Sequence, residues 1–267
     1  MNLDKYELKE LETKASEVIL EAGYYLERVW SHPHTLQYKD SRDVVTEADI
    51  YVENLLREKL HALFPEAGFI VEEGTTELQT EYNWAIDPID GTKSFAFGVP
   101  MFFTQIALLK GNVPVVGLVY NPTSRQLFSA SLGNGAALNK KPMALKNNCS
   151  LSKAIISVDS GKIYSRQEEK ANIILELAQN CYRMRMTAGF LNPYVITGAV
   201  DCVINFVLHD LSIKQKPKNV VDLAPHIILF TEFGLQTQFI KTKQGNMVFV
   251  AAHEQLIKEA ADIITTV

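Results

Sequence analysis

The sequence predicts an α+β segment followed by an α/β segment, and three observations support this fold class. Two amphipathic helical patterns open the chain, short apolar runs separated by turn residues follow, and strand and helix patterns then alternate to the end. We place the boundary near residue 145, which gives an N-terminal half (1–145) with an antiparallel sheet and a C-terminal half (146–267).

Composition excludes several classes of protein. The 267 residues carry 26 Lys and Arg against 31 Asp and Glu, and this net charge of −5 argues against a nucleic-acid polymer as partner. No run of roughly 18 apolar residues is present, and the charged N-terminus has no signal-peptide core, so we expect no membrane association. The three cysteines are widely spaced without a CxxC pair, which predicts reduced thiols in a cytoplasmic protein.

Helical periodicity is clearest in the first 64 residues. Apolar residues recur at three- and four-residue steps over 8–29, and a second pattern covers 46–64. Pro65 and Gly68 close the second helix. Taken alone, the string DVVTEAD at 43–49 is consistent with a helix start, with Thr46 as N-cap.

Short apolar runs between turn residues predict the strands. In the first half they cover 69–71, 84–86 and the segments FFTQIALLK, VPVVGLVY and QLFSAS. In the second half, strands and helices alternate. The strands cover 154–158, 183–186, 202–206, 235–240 and 247–251, and the helices cover 166–180, 192–197, 222–233 and 254–264.

Carboxylates follow two of the predicted strands directly. Glu72 and Glu73 come after residues 69–71, and Asp87 and Asp90 come after residues 84–86 in the string WAIDPIDGTKSF. A strand that leaves a core into carboxylates is unfavourable unless a cation or hydrogen-bond donors meet them. Acids held close together around Pro88 fit a hard divalent cation such as Mg²⁺.

The turn after these acids predicts a phosphate-binding position. Gly91 and Thr92 open a helix, where backbone N–H groups are available to an anion, and the threonine hydroxyl can orient a water molecule. Each signal alone is also consistent with an ordinary solvent-exposed turn, so the hypothesis depends on their combination.

Together, these strings resemble the inositol monophosphatase family of Mg²⁺-dependent, lithium-sensitive phosphatases. DVVTEAD at 43–49, EE at 72–73 and WAIDPIDGT at 84–92 carry the likeness, and GNGA at 133–136 and VAAH at 250–253 add to it. The resemblance implies a layered α-β-α-β-α sugar-phosphatase-like fold and a homodimer. It also implies hydrolysis of a small phosphorylated metabolite by metal-activated water.

The resemblance further implies a set of metal ligands. Glu72, Asp87 and the main-chain carbonyl of Ile89 would hold the first ion, and Asp87, Asp90 and Asp222 would hold the second. Glu72 would also contribute to a weaker third position, so two or three Mg²⁺ ions are expected. Asp222 would come from the C-terminal half, together with the substrate contacts.

The catalytic and phosphate-binding roles come from the same resemblance. Thr92 and Asp49 would orient and deprotonate the attacking water, with Glu72 completing the catalytic set. Asp90 and the amides of Gly91 and Thr92 would bind the phosphate.

Departures from the family pattern near Asp222 leave the substrate open. Val221 stands where the family usually has Trp, and Pro225 and His226 replace small residues. The segment between Asp201 and Asp222 looks longer than in inositol monophosphatases. Its three lysines, Lys214, Lys216 and Lys218, are consistent either with contacts to a second anionic group or with a solvated loop.

Inositol monophosphate or a similar polyol phosphate is the expected substrate. Histidinol phosphate and 3′-phosphoadenosine 5′-phosphate are the alternatives, because SFAFGVPMF is similar to the histidinol-phosphatase branch and GTK occurs in the nucleotidase branch. The alternative of another class is a non-catalytic metal-binding regulatory homologue, against which the intact acids argue.

Overall fold

The computed structural model describes residues 2–30, 32, 36–40, 43–79, 81–144, 149–159, 168–187, 189, 191–207 and 217–267. The chain forms two compact units, one of Met1–Pro142 and Leu211–Glu232, the other of Met143–Asp210 and Phe233–Val267. Asp222 therefore belongs to the first unit, although it lies in the C-terminal half of the chain. The substrate contacts expected from residues 146–267 stay a prediction.

The long helices and the main strands follow the order that the sequence patterns predict, and the structure has further short strands at 36–40, 43–46, 136–138 and 141–142. The helices are α1 (Lys5–Val29), α2 (Glu47–Leu63), α3 (Thr92–Ala96), α4 (Glu168–Asn180), α5 (Pro217–Phe233) and α6 (Glu254–Thr266). The strands are β1 (Leu36–Asp40), β2 (Asp43–Thr46), β3 (Gly68–Val71), β4 (Tyr82–Asp90), β5 (Phe103–Lys110), β6 (Val113–Asn121), β7 (Gln126–Ser131), β8 (Ala136–Leu138), β9 (Lys141–Pro142), β10 (Ile155–Asp159), β11 (Arg183–Met186), β12 (Cys202–Val207), β13 (Gln236–Lys241) and β14 (Met247–Ala252).

Side-chain caps fix where α1 and α2 begin. The Asp4 side chain accepts hydrogen bonds from the first turn of α1, and a capping box joins Thr46 and Asp49 at the start of α2. Both helices lie where periodicity predicts them. Helix α5 begins at Pro217 rather than at Asp222, because proline is favoured in the first turn of a helix.

The sheet of the first unit has the spatial order β3-β4-β5-β6-β7-β8-β9. Strands β3 and β4 pair parallel, and from β4 onward each neighbouring pair is antiparallel. Strands β1 and β2 form a separate antiparallel pair. The short turns between β5, β6 and β7 produce the meander that the sequence patterns indicate.

Both faces of this sheet are buried, so its central strands are apolar along most of their length, with Asp87 and Gln105 among the buried polar exceptions. Alternate residues such as Trp84 and Ile86 pack in one core cluster with α1 and α2, whereas Ala85 packs in another with Val221 and Ala224 of α5. Helix α5 approaches β6 closely, because a side-chain Cβ at Gly117 would overlap with atoms of α5.

The second unit is a five-stranded mixed sheet with helices. Its order is β11-β10-β12-β14-β13, with β10 parallel to both neighbours and β14 antiparallel to both of its own. Apolar residues of α4 and α6 pack in its core. The three cysteines, Cys149, Cys181 and Cys202, are free thiols, as predicted. Within the described residues, no helix is both long and apolar enough to cross a bilayer.

A buried histidine makes the stability of the first unit sensitive to acid. His226 on α5 is 3% exposed and stacks on Phe230, and its Nδ1 has no hydrogen-bond partner in the part of the chain that the structure describes. Burial lowers the pKa of His226 from the usual 6.5 to about 3. The folded chain therefore holds this imidazole neutral at pH values where the unfolded chain protonates it.

We expect His226→Phe to flatten the pH dependence of unfolding. Below pH 6.5, His226 binds a proton in the unfolded wild type but stays neutral in the folded chain. The free energy of unfolding therefore falls by about 1.4 kcal/mol per pH unit as the pH approaches the folded pKa near 3. Urea unfolding at pH 7, 6 and 5 measures this slope. His61→Phe, which removes an exposed histidine, serves as the matched control. Equal slopes for the wild type and His226→Phe would contradict the account.

Candidate metal centre

The parallel pairing of β3 and β4 brings two of the predicted acids together. Val71 lies opposite Ile86 in this register, and the next residues along the two strands are Glu72 and Asp87. Because parallel strands run in the same direction, both carboxylates lie at the same edge of the sheet.

Helix α5 contributes a third acid to this cluster. One carboxylate oxygen each from Glu72, Asp87 and Asp222 lie within 4.8 Å of one another. The apolar residues Val220 and Val221 pack against the sheet just before Asp222 and hold this end of α5 in place. The valine that departs from the family pattern is therefore a core residue, 1% exposed.

The electrostatic environment of Asp87 is unfavourable to its charge. The pKa of Asp87 is raised well above its usual range, first by burial and then by the neighbouring charges of Glu72, Asp90 and Asp222. The Gln105 side chain opposes this shift by donating a hydrogen bond to Asp87 Oδ2 at 3.2 Å. The other oxygen, Oδ1, is buried without a hydrogen-bond partner among the described residues.

These features fit a divalent cation of the hard, oxygen-preferring kind. Three carboxylates at close range repel one another, and a cation among them offsets both the repulsion and the desolvation of Asp87. The donors are all carboxylate oxygens, which suit Mg²⁺ better than a soft metal. The residues present could therefore hold Mg²⁺, and the unpaired Asp87 Oδ1 is the atom that gains most from it.

A β-bulge separates Asp90 from Asp87. Asp87 lies opposite Gln105 and Asp90 opposite Phe103, so β4 has one more residue in this interval than β5. The Thr104 hydroxyl donates to the Pro88 carbonyl at 2.9 Å and holds the bulge. Asp90 lies outside the three-acid cluster, but its charge still raises the pKa of Asp87.

Two predicted groups lie at the end of the bulge. The Ile89 side chain is buried in the core, and its carbonyl oxygen accepts a hydrogen bond from Thr92 Oγ1 at 3.1 Å. Gly91 adopts the left-handed conformation with φ of 90°, which turns the chain from β4 into α3.

Thr92 and Asp49 form the hydroxyl–carboxylate pair that the family resemblance implies. Thr92 Oγ1 lies 3.3 Å from Asp49 Oδ1. The other oxygen of Asp49 accepts hydrogen bonds from the Thr46 backbone N–H at 2.8 Å and the Thr46 hydroxyl at 2.6 Å. Asp49 is 1% exposed, so the capping box of α2 also fixes an acid beside Thr92.

Sequence reasoning missed two residues that contact this centre. The Gln105 side chain donates a hydrogen bond to Asp87. The sequence feature that could have identified it is a polar residue inside an otherwise apolar predicted strand. Glu53 accepts hydrogen bonds from the backbone N–H groups of the two residues that follow Glu72. The sequence feature that could have identified it is its spacing, four residues after Asp49, which places both acids on the same helix face. The lysine side chains of the Lys214–Lys218 segment lie outside the described residues.

Comparisons with known proteins show the family to which this chain belongs. The model of the inositol monophosphatase family matches residues 7–264. An inositol-1-monophosphatase of Synechocystis sp. is 34% identical over 178 residues, 66% of this chain and 60% of the relative. Inositol monophosphatase 3 of Solanum lycopersicum is 37% identical over 153 residues, 55% of this chain and 54% of the relative. The match thus spans less than two thirds of the length of either relative. An inositol monophosphatase of Dictyostelium discoideum is 31% identical over 82% of this chain and 81% of the relative.

Solved structures show the same fold. Inositol monophosphatase from Anabaena (Nostoc) sp. PCC 7120 superposes with a TM-score of 0.79 at 25% identity, covering 97% of both chains. Extragenic suppressor protein suhB from Bartonella henselae gives a TM-score of 0.82 at 22% identity, covering 94% of this chain and 97% of that one. These superpositions confirm the predicted layered α+β fold. Because the family model also spans almost the whole sequence, the chain belongs to the inositol monophosphatase family.

Proposed function

We propose that this chain hydrolyses a small phosphate monoester with the help of Mg²⁺ ions. The observation that carries the proposal is the cluster of Glu72, Asp87 and Asp222, in which one oxygen of Asp87 is buried and unpaired among the described residues. Asp90 and the Ile89 carbonyl would complete a set of ligands for two or three ions, since both lie on the bulge beside Asp87.

The chemistry follows from the charges that a phosphate monoester presents. When bound, Mg²⁺ would supply positive charge that stabilises both the attacking and the leaving oxygen. The carboxylates of the cluster set the position of that charge. The backbone N–H groups of Gly91 and Thr92 would orient the phosphate beside them, together with Asp90.

Thr92 and Asp49 would handle the proton of the attacking water. The Thr92 hydroxyl can accept a proton from water while its own proton passes to Asp49 Oδ1, 3.3 Å away. The two hydrogen bonds from Thr46 keep the Asp49 carboxylate aimed at Thr92 during this transfer. Glu72 would assist as the remaining member of the catalytic set.

Inositol monophosphate or a similar polyol phosphate is the substrate we propose, because the relatives from Synechocystis and Solanum lycopersicum are named inositol monophosphatases. Inhibition by lithium and assembly as a homodimer are part of the proposal and rest on the family. A cytoplasmic location is supported by the three free thiols.

Phosphate release from a substrate panel tests the proposed reaction. The panel comprises inositol 1-phosphate, histidinol phosphate, fructose 1,6-bisphosphate and 3′-phosphoadenosine 5′-phosphate, each with Mg²⁺, without Mg²⁺ and with added Li⁺. We expect Mg²⁺-dependent release from inositol 1-phosphate that Li⁺ suppresses. Preferential hydrolysis of another panel member would assign the chain to that branch, and inactivity on all four would favour the non-catalytic regulatory homologue.

Replacing Thr92 separates proton transfer from metal binding. Thr92→Ala removes the hydroxyl that links water to Asp49, so we expect kcat to fall by about 10²- to 10⁴-fold. Thr92→Ser keeps a hydroxyl and should retain most of the rate, and the exposed Thr265→Ala serves as the matched control. Wild-type turnover by Thr92→Ala would show that this hydroxyl takes no part in the reaction.

A further inference from the structure

We propose that Glu53 is a positioning residue that holds the Glu72 loop in its metal-binding arrangement. This inference rests on the proposed metal-dependent function and deepens it. Nothing in the sequence patterns singled out Glu53, which lies on α2 and is 4% exposed.

The contacts of Glu53 are made with the two residues that follow Glu72. Glu53 Oε2 accepts a hydrogen bond from the Glu73 backbone N–H at 2.9 Å, and Oε1 accepts one from the Gly74 backbone N–H at 2.9 Å. One carboxylate thereby fixes two successive peptide planes. Since Glu72 directly precedes these planes, the direction in which its side chain leaves the backbone depends on them.

Gly74 is adapted to this contact. A Cβ atom at position 74 would overlap with Glu53 Oε1, so a side chain there would displace the carboxylate from its two N–H partners. Gly74 does not have a positive φ, and the need for glycine is therefore one of space rather than of backbone conformation. The close approach of the Glu53 carboxylate to the backbone therefore depends on both residues, the acid at 53 and the glycine at 74.

Three successive turns of α2 contact the chain segments of the metal centre. Asp49 reaches Thr92. Glu53, four residues later, reaches the loop after Glu72. Arg57, four residues later again, donates to the Thr75 carbonyl at 2.8 Å in the same loop. One helix face thus supports both the hydroxyl–carboxylate pair and the loop that presents Glu72.

Burial and a neighbouring acid both disfavour the charged form of the Glu53 carboxylate, which a residue that only capped a turn would have no need to tolerate. Burial raises the pKa of Glu53, and the charge of Glu72 acts in the same direction, while the two backbone hydrogen bonds and Arg57 oppose them. Partners that orient metal ligands are costly to replace, typically by about 10- to 100-fold in metal affinity. The geometry points to that role for Glu53.

The chain offers a matched control for the alternative, a purely structural cap. Glu232 also uses one carboxylate to accept two backbone hydrogen bonds, from Gly133 at 2.9 Å and Gly135 at 2.7 Å. Those glycines belong to a turn that carries none of the clustered acids. Glu232→Gln and Glu53→Gln therefore remove equivalent hydrogen bonds, and only the second loosens the loop of a metal ligand.

Mn²⁺ titration of the full chain, followed by electron paramagnetic resonance, tests the inference. We expect Glu53→Gln to weaken Mn²⁺ binding by about 10- to 100-fold and Glu232→Gln to leave it unchanged, with similar losses of thermal stability in both. Gly74→Ala disturbs the same contact from the loop side and should weaken Mn²⁺ binding too. In phosphate-release assays, Glu53→Gln should need more Mg²⁺ for half-maximal rate and recover most of its kcat at saturation.

Two outcomes would overturn the inference, and they are distinguishable. Wild-type Mn²⁺ affinity in both Glu53→Gln and Gly74→Ala, together with a stability loss matching that of Glu232→Gln, would make Glu53 a structural cap only. Failure of the wild-type chain to bind Mn²⁺ would contradict the proposed function itself, and the inference with it.

Discussion

Repulsion between the buried carboxylate of Asp87 and the partly exposed carboxylates beside it is the constraint on which the rest of the site depends. Asp87 is almost fully buried, its carboxylate lies close to those of Glu72 and Asp222, and one of its oxygens has no hydrogen-bond partner in the described part of the chain. Such an arrangement destabilises the fold unless Asp87 is protonated or a cation is present. The packing around it keeps the acids together against this repulsion.

Apolar packing provides the opposing force. The sheet of the first unit is buried on both faces. The cluster that joins Ile70, Ala85 and Ala107 to α5 has members within two positions of each clustered acid in the sequence. Asp222 is distant from Asp87 in sequence and reaches it because α5 packs on this face. The close approach of α5 to Gly117 extends the same contact along β6.

Much of this organisation was accessible from the sequence. Helices α1 and α2 follow their hydrophobic periodicity and cap residues, and acids after apolar runs marked Glu72 and Asp87. Asp222 came from the family resemblance, because a carboxylate within a helical pattern carries no local signal of a metal site. Glu53 was not found, since its hydrogen bonds join residues 20 and 21 positions apart and depend on how α2 packs on the sheet. The parallel register of β3 and β4, which brings Glu72 beside Asp87, is likewise a tertiary property.

Thermal unfolding of the wild type and of Asp87→Asn, each with excess Mg²⁺ and with a chelator, tests whether a cation offsets the repulsion at Asp87. The exposed Asp262→Asn serves as the matched control. If a cation relieves the repulsion at Asp87, Mg²⁺ should raise the midpoint of the wild type and of Asp262→Asn. Asp87→Asn, which lacks the buried charge, should be the most stable of the three without metal and respond least to Mg²⁺. An equal response to Mg²⁺ in Asp87→Asn and wild type, or none in either, would contradict the assignment of a metal centre to these carboxylates.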